Sequence, residues 1–184
     1  MSLCLLATVA QAHPQGFHKR LVFTLTKTGG EGLVVMDVDS GDRCALIRAG
    51  ADANKDGRLS PEETGALKQK LVAMATRALK LSFSSAPIAA VVKESKLSLR
   101  EDLGVSTSGL SVAVLLDLSH PQEVTPGMRF EVEDTSPDLS TIRLQVFQAS
   151  DGQEPAEPAF DAALESGKVA RVRLGSLAQK AASH

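Results

Sequence analysis

The chain has 184 residues, with 20 Lys and Arg against 22 Asp and Glu and a formal charge of −2. That near-neutral balance carries no basic footprint for nucleic acid, and six Phe with no Trp or Tyr leave little surface for stacking sugars or bases. The length fits one domain with a sizeable core.

The opening residues Leu3 to Ala10 are apolar and run into Ala10-Gln11-Ala12. That small-residue pattern reads as an export signal over 1–12, cut before His13, although the usual basic start is missing. Cys4 does not read as a lipid anchor, because Leu3 stands where a small residue is needed. No later run approaches the roughly 18 apolar residues of a membrane span. The expected product is periplasmic or secreted and does not span the membrane. With the signal cut, Cys44 stands alone and reads as a buried, inert thiol on a helix face.

Residues 19–27 alternate, with Leu21, Phe23 and Leu25 on one face, and Thr28-Gly29-Gly30 predicts a turn into a second strand over 32–38. A short helix over 40–50 follows, its cap residue Ser40 preceding apolar Cys44, Ile47 and Ala51.

The next twelve residues, Asp52 to Glu63, are the most specific feature of the chain. They match D-x-[DN]-x-[DN]-G-x5-E, the EF-hand calcium loop. Asp52, Asn54 and Asp56 supply side-chain oxygens at positions 1, 3 and 5, and Gly57 permits the sharp turn at position 6. Arg58 at position 7 contributes only its backbone carbonyl. Ser60 at position 9 ligates directly or through water, and Glu63 at position 12 offers both carboxylate oxygens. Leu59 is the apolar anchor. Ser60-Pro61-Glu62-Glu63 is also a helix start, with Ser60 as N-cap and Glu63 closing a capping box, so Glu63 reads as cap or ligand. Leu67, Leu71, Met74, Ala75 and Ala78 then form one stripe of an exit helix. The segment Asp37 to Asp42 looks similar, but its register puts Arg48 where Glu is required. It reads as a strand end feeding a helix cap.

Strands are expected at 79–83, 88–92, 96–100, 110–118 (the most apolar and expected to be central), 129–133, 141–147 and 168–174. Between them, 134–138 is a turn cluster and 150–166 a solvated loop or edge crossover. The predicted fold class is α+β: a β-sandwich-like, immunoglobulin-like domain over 13–176, an EF-hand helix–loop–helix inserted at 41–78, and a frayed tail at 177–184.

The order of parts resembles a family of exported bacterial proteins found near metal-ion transport systems. The residues carrying the likeness are Ala12-His13-Pro14, Phe17, the hairpin, Asp52 to Glu63, and Phe130 to Pro137. The resemblance implies a periplasmic component with calcium at the EF-hand. Gln15 departs from it, standing where a second His of an Ala-His-Pro-His start would be.

The leading functional expectation is a non-enzymatic calcium-binding protein, its ion mainly structural or regulatory, with a periplasmic protein partner left open. One loop with three carboxylates, Asp52, Asp56 and Glu63, beside Lys55 and Arg58, predicts modest affinity between about 10⁻⁷ and 10⁻³ M. An alternative is copper, nickel or zinc binding or delivery, with His13 at a cut N-terminus as a chelate and His18 or His120 completing the site. A hydrolase is the third reading, without an HExxH, a Gly-x-Ser-x-Gly or a Cys–His pair to carry it.

Overall fold

The computed structural model describes residues 16–99, 103–120, 123–136, 139–149 and 157–175. The expected signal with His13, the turn at Pro121, residues 150–156 of the expected loop and the expected tail lie outside them.

Strands β1 (Phe17–Leu25) and β2 (Gly29–Val38) form the first hairpin. Thr26 N donates to Gly29 O at 2.9 Å, so the chain reverses over Lys27 and Thr28. Gly32 sits opposite Phe23 in this pair. A Cβ there would meet the Phe23 ring at 2.8 Å, so any larger residue would force the ring to shift. Helices α1 (Asp42–Ala49) and α2 (Pro61–Thr76) follow, joined by the loop.

Then come β3 (Leu79–Phe83), the two-residue β4 (Ala86–Pro87), β5 (Ala89–Leu99) and β6 (Leu110–Ser119). Strands β7 (Arg129–Asp134), β8 (Leu139–Gln148), β9 (Phe160–Leu164) and β10 (Val169–Arg173) follow. The result is a sheet-rich α+β chain with two sheets. One is six-stranded, in the order β5-β6-β2-β1-β8-β9, and the other is four-stranded, in the order β10-β7-β3-β4. All pairings are antiparallel except β1 with β8.

The inner face of the larger sheet is apolar by strict alternation. Leu21, Phe23 and Leu25 of β1, Val34, Met36 and Val38 of β2, and Leu110, Val112, Val114, Leu116 and Leu118 of β6 are all buried. The smaller sheet meets this face where the Phe130 ring packs edge-on to Phe23, with ring centres 5.3 Å apart. Phe83, level with Phe130 on the neighbouring strand, lies at the same 5.3 Å from it. Helix α2 covers the β6 and β2 end of the same face through Leu67, Leu71 and Ala75.

Several expectations are corrected. The strands foreseen at 88–92 and 96–100 are one strand, β5, with Lys93 accommodated as a bulge between Val92 and Glu94. The Lys93-Glu94 pair reads as a break in sequence, yet a bulge absorbs one extra residue without ending a strand. Strand β6 is interior but second from the edge, and β2 and β1 hold the centre. Within the expected loop at 150–166, residues 160–164 form the edge strand β9.

Ser40 does not cap α1. The N-cap is Gly41, with no side-chain bond, and Ser40 Oγ accepts from Gly109 N at 2.9 Å. Met74 is 37% exposed because the buried face of α2 is turned toward half-buried Val72. Asp134, expected in a solvated turn, ends β7 fully buried. It accepts from Lys19 Nζ at 2.6 Å, and the same ammonium donates to Ser136 Oγ at 3.0 Å. Lys19 shares the parity of Leu21 and Phe23, so strand alternation alone sends it inward.

Candidate metal centre

The loop between the helices is organised by its own side chains. Asp52, nearly buried at the end of α1, accepts from Asp56 N through Oδ1 (3.2 Å) and from Gly57 N through Oδ2 (2.9 Å). Asn54 Oδ1 also accepts from Asp56 N at 3.0 Å, and Asp56 Oδ1 accepts from Arg58 N at 2.8 Å. Asn54 Nδ2 donates to Asp56 Oδ2 at 3.0 Å. The turn needs left-handed backbone at Lys55 (φ 60°) and Gly57 (φ 81°), and the glycine takes it without Cβ strain.

Glu63 closes the loop on itself. Its Oε1 accepts from Ala53 N (2.7 Å) and Asn54 N (3.3 Å), while its Oε2 accepts from Ser60 N (2.9 Å). Ser60 Oγ in turn accepts from Glu63 N at 3.2 Å, completing the expected capping box at the start of α2. One carboxylate therefore ties the first residues of the loop to the last. The Ser60 N–H is the largest cause holding the Glu63 carboxyl below its ordinary pKa. Partial burial opposes it, and the Ala53 and Asn54 N–H groups and the Ser60 hydroxyl add to the lowering.

The far side of the loop is pinned by a segment that no sequence pattern pointed to. Leu59 N donates to Leu103 O at 2.8 Å and Val105 N donates to Gly57 O at 2.9 Å. These bonds make an antiparallel bridge between Arg58 and Gly104. In such a bridge the flanking residues bond across, so the N–H and C=O of Arg58 itself face the opposite side. The bond from Arg58 N to Asp56 Oδ1 agrees, and the Arg58 carbonyl likewise faces away from Gly104. Leu59 is buried, as its anchoring role requires.

Arg48, on the last turn of α1 and fully buried, fastens the same segment. Its guanidinium donates to Gly104 O (3.0 Å), Ser108 O (3.1 Å) and Gly109 O (3.3 Å). Cys44, also buried, donates to Ser108 O.

The six sequence-predicted positions are thus brought together on one loop, and every ligand type they offer is oxygen: carboxylates, an amide, a hydroxyl and a backbone carbonyl. That is the donor chemistry of a hard cation such as calcium, and the residues fit it. In the conformation described, Asp52, Asp56 and Glu63 bond to backbone N–H groups. Among the described residues no three His, Cys, Asp or Glu side chains form a common metal-ligating cluster.

The two described histidines, His18 and His120, are far apart. His18 is bonded at both ring nitrogens, Nε2 to Asp39 Oδ2 (2.7 Å) and Nδ1 to Thr141 Oγ1 (2.6 Å). His18 lies level with Asp37 of β2, whereas His120 follows Ser119, which is level with Gly29. Eight residues of strand, roughly 26 Å, separate those levels. The His120 ring instead packs edge-on to Phe83, with ring centres 4.7 Å apart. His18 and His120 therefore do not share a site. No helix among the described residues is long and apolar enough to cross a membrane. No protein-family model matches the chain, and no curated protein matches it.

Proposed function

We propose that the chain binds one calcium ion in the Asp52–Glu63 loop and that the ion is mainly structural or regulatory. Asp52, Asn54 and Asp56 would supply side-chain oxygens, Arg58 its carbonyl, Ser60 its hydroxyl directly or through water, and Glu63 both carboxylate oxygens. The observation that carries the reading is the position of Glu63. Its carboxylate already links the Ala53 and Ser60 amides, and this tie between the two ends of the loop supports it as the twelfth-position ligand. The bridge to Gly104 leaves the Arg58 carbonyl facing away from that segment, which supports its role as a ligand.

The exported, non-enzymatic character belongs to the same proposal. It rests on the Leu3–Ala12 pattern and on the absence of catalytic motifs in the sequence. The finer fold reading, an immunoglobulin-like sandwich carrying an EF-hand, is likewise proposed. Two sheets meeting at Phe23 and Phe130, with the helix pair after the first hairpin, support it.

Thermal unfolding followed by far-UV circular dichroism, in calcium and in chelator, tests the function. A ligand bound only to the folded state at a hundred times its dissociation constant stabilises by about 2.7 kcal/mol, roughly 5–10 °C for a chain of this size. Glu63→Gln removes most of that rise. Identical melting curves for the unaltered chain in calcium and in chelator would sink the proposal.

A further inference from the structure

Strand β5 is an edge of the six-stranded sheet and, at 11 residues, the longest strand among the described residues. Its pairing with β6 leaves a second row of backbone N–H and C=O groups facing outward, the template on which another strand adds. The side chains along it are exposed: Val91 is 61% and Val92 44% accessible. The bulge and its lysine would normally blunt such an edge. Here Lys93 is drawn away, its Nζ donating to Glu31 Oε1 of β2 at 2.9 Å across the sheet. Glu94 and Lys96 take part in no ion pair among the described residues.

The order of these residues is self-complementary. Glu94 and Lys96 lie level with Leu115 and Ala113, on the outer face of the sheet, and flank Ser95. Place a second copy of β5 antiparallel to the first, with the two-fold axis at Ser95. Each Glu94 then stands opposite the Lys96 of the other copy, twice. Beyond them Lys93 is the extra residue of the bulge. The next facing pair is Val92 with Leu97, both on the inner face, since they lie level with Leu116 and Val112. Shallow apolar ground formed by Leu33, Ala113 and Leu115 adjoins the charged pairs on the outer face. Opposite charges and apolar pairs directly across antiparallel strands are the stabilising units of a sheet, and a two-fold axis makes each count twice.

We propose that this edge is an interface between two copies of the chain, which join β5 to β5 into one continuous sheet. The occupant is a second copy because the same strand supplies both halves of every pair. Calcium is not required for it.

Sedimentation velocity on the full chain over a range of concentrations tests the proposal, with circular dichroism confirming that each variant folds. The unaltered chain dimerises. E94K and K96E, each of which sets like charges opposite one another at two places, weaken dimerisation by about tenfold or more. An equimolar mixture of E94K and K96E recovers a dimer, because the facing charges are then opposite at all positions. An unaltered chain that stays monomeric at every concentration overturns the proposal. So does a dimer indifferent to E94K, or a mixture of the two variants that stays monomeric.

Discussion

Glu63 holds the two ends of the loop through backbone N–H groups, and those bonds depend on its charge. An acid whose folded pKa lies below its unfolded value binds protons more weakly when folded. Its contribution to stability is therefore complete above the unfolded value and fades as pH falls through the folded one. Glu63 behaves this way, and so does exposed Asp161. The Arg143 guanidinium, bonded at 2.8 and 2.9 Å, is the main cause holding the Asp161 carboxyl down to about 2, with Gln145 adding. Stability should then fall as pH drops from about 4 toward about 2. Asp161→Asn should flatten that part of the curve, measured by urea unfolding at stepped pH. An unchanged slope would show that the Arg143 pair does not differ between folded and unfolded chains.

At the scale of elements, α1 is short, with eight residues and an uncapped start. It is held by what it touches. Arg48 donates to three carbonyls of the segment leading into β6, and that segment in turn bridges the loop at Gly57 and Leu59. Helix, loop and segment are one mechanical unit. Replacing Arg48 by Met keeps the apolar stem and removes every donor, which should cost about 2–5 kcal/mol. Amide exchange at Leu59 and Val105 should quicken by more than at the α2 amides. If exchange rises equally everywhere, Arg48 stabilises the whole fold and does not specifically clamp the loop.

Across the whole molecule, aromatic packing and a buried ion pair join the two sheets. Lys19 comes from β1 of the larger sheet and Asp134 from β7 of the smaller, and neither side chain is exposed. Burying two charges is costly, and their mutual attraction roughly repays it. Removing one partner leaves the other charged and unpaired. Asp134→Ala should therefore lose about 3–5 kcal/mol in denaturant unfolding, while the double change Lys19→Met with Asp134→Leu recovers most of the loss. Phe130, in ring contact with both Phe23 and Phe83, supplies the apolar part of the same junction. A double variant no more stable than Asp134→Ala would mean that the pair contributes specific geometry beyond charge balance.

Local patterns determined what depends on neighbours in the chain. Alternation marked β3, β7 and β10 nearly to the residue and β1 to within two residues at each end, because each strand has one apolar and one polar face. Ser60 to Glu63 announced the start of α2, because a capping box is complete within four residues. The oxygen donors of Asp52 to Glu63 were legible for the same reason. Parity also pointed Lys19 inward, a signal easily passed over because charge suggests solvent. The tertiary structure alone decided the rest: the parallel pairing of β1 with β8, the burial of Asp134, the carbonyls that receive Arg48, and the strand segment that pins the loop at Gly104. Each joins residues far apart in sequence, and in most of them at least one partner is a backbone group that every residue carries, so the pattern of either segment alone does not name its partner.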